Sequence, residues 1–334
     1  MTFCGLVTGE EALPKGLGEG GSWELVMDAQ EQRFALPGLQ ERWVPQGLQG
    51  MADGSFLLSS YQSMHRSSPL IPAALRWSSD GPTRLSRLFA DGQSQHYPLV
   101  YPGQRQDWHA GGVAYVHGQV FIADGHAVYS GPLPEEAGPI TLRKAIDNHP
   151  FRSSCLSIDD QGRLWVGEFV HRASLRYGLN REKDALGFPQ KLTNSQGEDR
   201  WAVIAVYTSP EGDLQALISA PERLQGMAID QDLVWLSLSY GRNNPSQLRA
   251  YRNPLIHQQP AKHLAWDGKS VPLYHLDKQL LKQDVPPMSE EIWFDPQSQS
   301  LWVVFENAAI KFANGRGPKI PHLTRWQVQA IKDD

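Results

Sequence analysis

An all-β ring of four-stranded antiparallel sheets is the architecture this sequence predicts, and three observations carry it. One phrase recurs five times along the chain, and further strand-like runs follow most copies. The 30 Gly, 24 Pro and 11 Trp among 334 residues point to many turns and short aromatic strands rather than helices. A repeated four-stranded unit that closes on itself describes a β-propeller. Five blades are counted, in a single domain over residues 22–334 behind a flexible tail over residues 1–21.

The phrase is clearest in Gln46–Tyr61, QGLQGMADGSFLLSSY, and Gln225–Tyr240, QGMAIDQDLVWLSLSY. Each opens on Gln-Gly and ends an apolar run on Ser-Tyr. Three more copies cover Gly111–His126, Ser154–Val170 and Glu290–Asn307. Each reads as a short apolar strand, a turn rich in Asp, Gly or Gln, and a second strand. Glycine tolerates the positive φ that such hairpin turns require. Trp165, Trp235 and Trp302 fall at one place in the second strand, where Phe56 and Phe121 stand in the other copies.

Outer strands are expected from PAALRWSS and TRLSRLFA after the first copy, and from AVYSGPL and ITLRKAI after the second. ASLRYGL and WAVIAVYT follow the third, QLRAYRN and VPLYHLD the fourth. After the fifth stands AAIKFAN, and SWELVMDA near the N-terminus is expected to supply the missing outer strand and close the ring. A sixth blade has room between Arg176 and Arg223, or around the unassigned IPHLTRWQVQAI. The competing architecture is an all-β sandwich.

The phrases QGMAID with VWLSLSY, and SIDDQGRLWVGEF, resemble blades of the propeller superfamily that includes the SMP-30/gluconolactonase, strictosidine-synthase-like and NHL groups. The resemblance covers most of Gln46–Phe312 and lives in blade-forming residues. It specifies a scaffold, and a scaffold does not imply a chemistry. Those groups are mostly six-bladed, so a count of five departs from them.

A net charge of -5 leaves no basic footprint for nucleic acid. No apolar stretch approaches the roughly 18 residues of a membrane span. The N-terminus lacks a basic segment followed by an apolar one, so the chain as written is expected to be cytoplasmic, with an exported mature form left open. Cys4 lies in the tail and Cys155 in an apolar strand; two thiols cannot build a cysteine zinc site. There is no P-loop or G-x-G-x-x-G, so no nucleotide cofactor is expected. GLGEGG at residues 16–21 has no strand before it and reads as tail.

Propeller geometry selects the site. Ligands bind where the innermost strand of each blade enters and the second strand leaves, around one mouth of the central channel. Those corners hold Gln46, Tyr61, His109, Asp124, His126, Ser154, Glu168, Gln225, Tyr240, Arg242, Asn243, Glu290, Glu306 and Asn307. Convergent polar groups at a concave mouth suit a small ligand. For Gln46, Gln225 and Ser154 a structural role, bonding to neighbouring blades, weighs more heavily. His109, before two glycines, is placed to act as a base or ligand. Glu168 after an apolar strand needs a cation or a basic partner. Strand alternation should send Glu291 away from the face that Glu290 lines. Arg242 and Asn243 suit an anionic group.

The resemblance to gluconolactonases implies a divalent metal, Ca²⁺ or another, held by a Glu, two Asn and an Asp. Glu290, Glu306 and Asn307 are the candidates for it, although no full Asn-Asp set is present. Resemblance to the strictosidine-synthase-like group implies one catalytic glutamate, for which Glu168 or Glu306 is a match. Three functions follow. The first is a propeller binding a small polar ligand, with or without a cation. The second is a metal-dependent hydrolase of lactones or related esters, with Glu168 and His109 as catalytic candidates. The third is a protein-interaction platform.

Overall fold

The computed structural model describes residues 23–31, 33–63, 80–103, 109–174, 177–178, 180–266 and 268–330. Five sheets stand around one ring. Blade 1 runs outward through Trp43–Gly50, Phe56–Ser63, Asp80–Leu88 and Ser94–Val100. Blade 2 uses Val113–Val116, Gln119–Asp124, Ala127–Pro132 and Arg143–Asp147, and blade 3 uses Ser153–Ile158, Leu164–Glu168, Ala202–Tyr207 and Leu214–Ala220. Blade 4 is built from Leu224–Asp230, Leu233–Leu238, Ser246–Arg252 and Gln279–Val285. Blade 5 takes Ser289–Asp295, Ser300–Phe305 and Thr324–Ala330, then Trp23–Met27 from the other end of the chain. That last pairing, from Trp23↔Ala330 to Met27↔Trp326, closes the ring as SWELVMDA predicts.

Several outer strands differ from expectation. The third strand of blade 5 comes from the unassigned IPHLTRWQVQAI. AAIKFAN instead holds a 3₁₀ turn at Ile310–Phe312, because its buried residues Ala309 and Phe312 are three apart, a helical spacing. VPLYHLD belongs to a hairpin, Lys262–Trp266 with Lys269–His275, that adds in parallel to the outer strand of blade 3. The fourth strand of blade 4 is Gln279–Val285. An alternating strand names its buried face but not the sheet edge it joins. TRLSRLFA is the third strand of blade 1 and not the fourth, while PAALRWSS lies outside the described residues. ITLRKAI divides: Ile140–Thr141 pairs with blade 1 and Arg143–Asp147 with blade 2. In ASLRYGL the described residues form turns, and residues 175, 176 and 179 lie outside the described set. The tail over residues 1–21, with Cys4, is also outside it.

Five apolar clusters fill the five spaces between adjacent blades. Second strands are buried on both faces, so alternation decides which neighbour each side chain meets. Phe121, Trp165, Trp235 and Trp302 all pack toward the following blade. Blade 1 departs from this: Leu57 fills that slot against blade 2, and Phe56 turns back toward blade 5. Its hairpin is one residue longer, with Leu48 opposite Leu58 where blade 4 sets Met227 opposite Leu236. A one-residue slip flips every following side chain to the other face. Tyr61 and Tyr240 are therefore different corners, Tyr61 only 2% exposed and Tyr240 36%.

Candidate functional site

All five inner strands break register at the same height. In each, two consecutive residues oppose a single residue of the second strand: Gln46-Gly47 against Ser59, Ser154-Cys155 against Gly167, Gln225-Gly226 against Ser237, and Glu290-Glu291 against Val304. In blade 2 the Gly111 amide donates to the Ala123 carbonyl, and the Ala123 amide donates to that of Gly112. Such bulges bend the strand and re-aim side chains. Here they turn the first residue of each pair toward the channel mouth and the second toward the axis.

At the second position Gly47, Gly112, Cys155 and Gly226 are small, and Glu291 fills the space beside Gly112 and Gly226. A Cβ on Gly112 would stand 2.6 Å from Glu291 Oε2, and one on Gly226 would stand 2.9 Å from Glu291 Oε1. The fully buried Glu291 carboxyl accepts the backbone N–H of Met227 (2.7 Å) and of Leu156 (3.2 Å), tying three blades together. Burial pushes it well above the usual carboxylate range against the pull of these amides. The expected alternation thus fails at Glu291, because the bulge turns both glutamates inward.

The first positions stitch neighbouring blades. Ser154 Oγ donates to the Leu224 carbonyl (3.1 Å), a structural bond of the kind expected for it. Gln225 Nε2 donates to Glu290 Oε1 (3.2 Å), and Gln46 Nε2 donates to Glu306 Oε2 (3.1 Å). Glu290 and Glu306 lie close enough to act on each other's ionisation and share the floor of the mouth. Burial, then the charge of Glu306, pushes Glu290 well above the usual carboxylate range. Burial also raises Glu306, but Lys311, His109, Glu290 and Gln46 all favour its ionised form. Of the two, Glu306 is the more readily ionised and Glu290 the better proton holder, since two such close carboxylates cannot both ionise cheaply.

Glu290 and Glu291 have ordinary values of 4.5 and are raised in the fold. Their contribution is complete below 4.5 and is lost as pH climbs toward the raised values, by up to about 1.4 kcal/mol per pH unit for each group. Glu290→Gln mimics the neutral acid, so denaturant unfolding across pH should show a shallower decline than wild type.

One wall is His109, Tyr61 and Lys311. The His109 ring lies on Tyr61, centroids 4.2 Å apart, and His109 Nε2 is 3.0 Å from Gln46 Oε1. Lys311 Nζ donates to the Tyr61 hydroxyl and sits 4.6 Å above its ring. Asp124, almost fully buried, accepts the His109 backbone N–H (2.8 Å) and fixes that loop. Arg242 packs over Phe312 at 5.1 Å, and Asn243 Oδ1 accepts the Arg316 amide (2.8 Å). The SYGRNN loop thus braces the segment that carries Lys311.

Other predicted residues lie apart from this floor. Glu168 is fully buried, accepting Lys183 Nζ (2.6 Å), Asn180 Nδ2 (3.2 Å) and the Val203 amide (3.2 Å). Lys183 comes from the helix Arg181–Ala185, inside the long connection between the second and third strands of blade 3. His126 stands beside His149, ring centroids 5.8 Å apart, and Tyr240 lies on His171 at 4.0 Å. Asn307 donates to the Pro287 carbonyl (3.1 Å) and accepts the Ile320 amide (2.9 Å).

The expected metal ligands do not fit a divalent cation. Both ends of the Asn307 amide hold backbone, and Glu290 takes Gln225 beside Glu306. Among the described residues no group of three or more His, Cys, Asp or Glu side chains is arranged to hold a metal ion. Lys183, Lys311 and Glu291 were missed as site residues. Glu-Glu at the place of Gln-Gly was the readable sign for Glu291; nothing local marked the lysines.

The chain matches no protein-family model and no curated protein sequence. Solved structures are similar in fold. A GH43 β-xylosidase/α-arabinofuranosidase from a compost microbial metagenome superposes with a TM-score of 0.50 at 12% identity, covering 92% of this chain and 96% of that one. Glutaminyl cyclase of Myxococcus xanthus gives 0.47 at 8% identity over 93% and 98%. A luciferin-regenerating enzyme gives 0.45 at 10% identity over 92% and 95%. At these identities the likeness is one of β-propeller fold.

Proposed function

We propose that this propeller binds a small polar molecule in the cup at the channel mouth, with Glu306 as the anchoring acceptor. The observation that carries the reading is the cluster around Glu306: Gln46 donates to it, Glu290 lies beside it, and the His109–Tyr61–Lys311 wall packs on through Gln46, with residues from three blades. The mouth remains open to solvent, with His109 exposed and Glu306, Ser154 and Gln225 half-buried. Polar groups converging in a concave site are what small-ligand recognition uses. A charged acceptor beside amides suits a ligand rich in hydroxyl, amide or amine donors.

A hydrolytic reading is favoured by the Glu290–Glu306 pair, because a neutral carboxyl can give a proton while its neighbour takes one. Metal-dependent lactone hydrolysis, which the resemblance to SMP-30/gluconolactonase propellers implies, lacks a fitting donor set here. For an interaction platform, the exposed large apolar residues among those described, such as Val26, Val100, Leu186 and Ile256, are spread over separate blades.

A thermal-shift screen of polyols, sugars, amides and amines tests the reading. At least one compound should stabilise wild type and bind tenfold or more weakly to Glu306→Gln, the loss of one charged hydrogen bond. Equal stabilisation of both proteins, or of neither by any compound, would refute it.

A further inference from the structure

Four corners of the mouth are equivalent by register. Tyr61 opposes Val44 in blade 1, Phe169 meets Arg152 in blade 3, Ser239 meets Arg223 in blade 4, and Glu306 meets Met288 in blade 5. Each opposed residue stands two places before the bulge, which begins at Gln46, Ser154, Gln225 and Glu290 respectively. The four side chains therefore leave their second strands at one height. Tyr61 and Ser239 are buried, whereas Glu306 and Phe169 are half-buried. Phe169 thus holds in blade 3 the corner that the anchoring carboxylate holds in blade 5. Glu306 meets Gln46 at the seam of blades 5 and 1, and in a ring of five, blade 3 stands opposite that seam.

The Phe169 ring is held in place by other rings. Tyr177 stands edge-on at 5.2 Å, and Tyr240 lies 6.3 Å away, tilted by 33°. His171 lies on Tyr240 at 4.0 Å, its amide donates to the Tyr177 carbonyl (3.1 Å), and its Nδ1 is 3.4 Å from Glu222 Oε2. Tyr177 is half-buried and Tyr240 exposed, so the group presents a braced aromatic surface on the rim of blades 3 and 4. An aromatic face packs best against another flat apolar group, whereas a carboxylate calls for hydrogen-bond donors. We propose that the cup selects ligands with hydrogen-bond donors at one end and an aromatic ring at the other, the donors turned to Glu306 and the ring seated against Phe169 and Tyr240. The inference rests on the cup being a ligand site and names the class of molecule that it takes.

The test uses matched pairs that share a donor end: benzylurea with methylurea, and benzamide with acetamide. Each is titrated into the full chain and followed by NMR on the ¹³C-labelled carboxyl of Glu306. In wild type the aryl member of each pair should bind about tenfold more tightly, the scale of a ring contact together with its buried area. Phe169→Leu keeps the apolar bulk and removes the flat face, while Tyr240→Ala removes the exposed ring of the group. Each should shrink the aryl preference by about threefold or more. Tyr240 is a surface residue, so its variant carries the test even where Phe169→Leu fails to fold. An aryl preference absent from wild type, or unchanged in the folded variants, would overturn the proposal and leave a ligand site at Glu306 standing. Aryl compounds that bind without moving the Glu306 signal would overturn it as well. If neither pair binds while a compound of the thermal-shift screen does, this inference alone is refuted; if nothing binds in either experiment, the ligand site is refuted with it.

Discussion

Lys183→Met should destabilise the protein by about 3–5 kcal/mol at neutral pH, the cost of leaving a buried charge without its partner. Methionine preserves most of the stem volume, so packing against Phe151 and Phe188 largely survives. The loss is the ammonium 2.6 Å from Glu168 in a site with 0% exposure on the acid. Burial already raises Glu168 above its ordinary 4.5, and Lys183 is the largest influence opposing that rise. Without it the folded-state value climbs further. The added penalty is then absent below 4.5, where the acid is protonated folded or unfolded, and grows as pH rises. Adding Glu168→Gln should recover much of the loss, which a double-mutant cycle by urea denaturation reads directly. A near-neutral single variant would show that the pair is not closed as described.

Trp235→Ala should cost a similar about 3–5 kcal/mol, for a different reason. Trp235 has no exposed surface and lies parallel to Phe294 of the next blade, centroids 6.1 Å apart. It fills the slot that Phe121, Trp165 and Trp302 fill between other blades. A cavity there opens between two sheets, neither of which can collapse without moving its ladder. Unlike Lys183→Met, this loss should be nearly independent of pH. Chemical denaturation at two pH values separates the two mechanisms.

How far the sequence was legible follows from which signals are local. The repeated phrase was readable because an apolar strand, a Gly-Asp turn and a second apolar strand are written within about sixteen residues. Ring closure was readable because one blade lacked a strand and SWELVMDA had no other partner. The outer strands were less so: VPLYHLD has strand periodicity, but its pairing with blade 3 depends on an edge brought there by the fold. The identical spacing of Tyr61 and Tyr240 misled, since one extra hairpin residue reverses the face.

At the mouth, Gln46, His109, Glu290 and Glu306 were readable from blade position, and the structure brings them together. The same rule selects His126, Asn307 and Tyr240, which stand elsewhere. Glu291 escapes strand alternation because a bulge interrupts the period there. Lys183 and Lys311 escaped because they ride on irregular segments, whose positions no strand period encodes.

The floor of the cup, Glu290 and Glu306 as one proton-sharing unit, is the center of this account. Its most direct measurement is a pH titration of ¹³C-labelled glutamate carboxyls by NMR, in wild type, Glu290→Gln and Glu306→Gln. The Glu290 signal should keep a protonated shift well above 4.5, while Glu306 ionises first. Glu306→Gln should lower the Glu290 midpoint by removing the neighbouring charge. Two independent midpoints near 4.5, each unmoved by substitution of the other, would contradict the account.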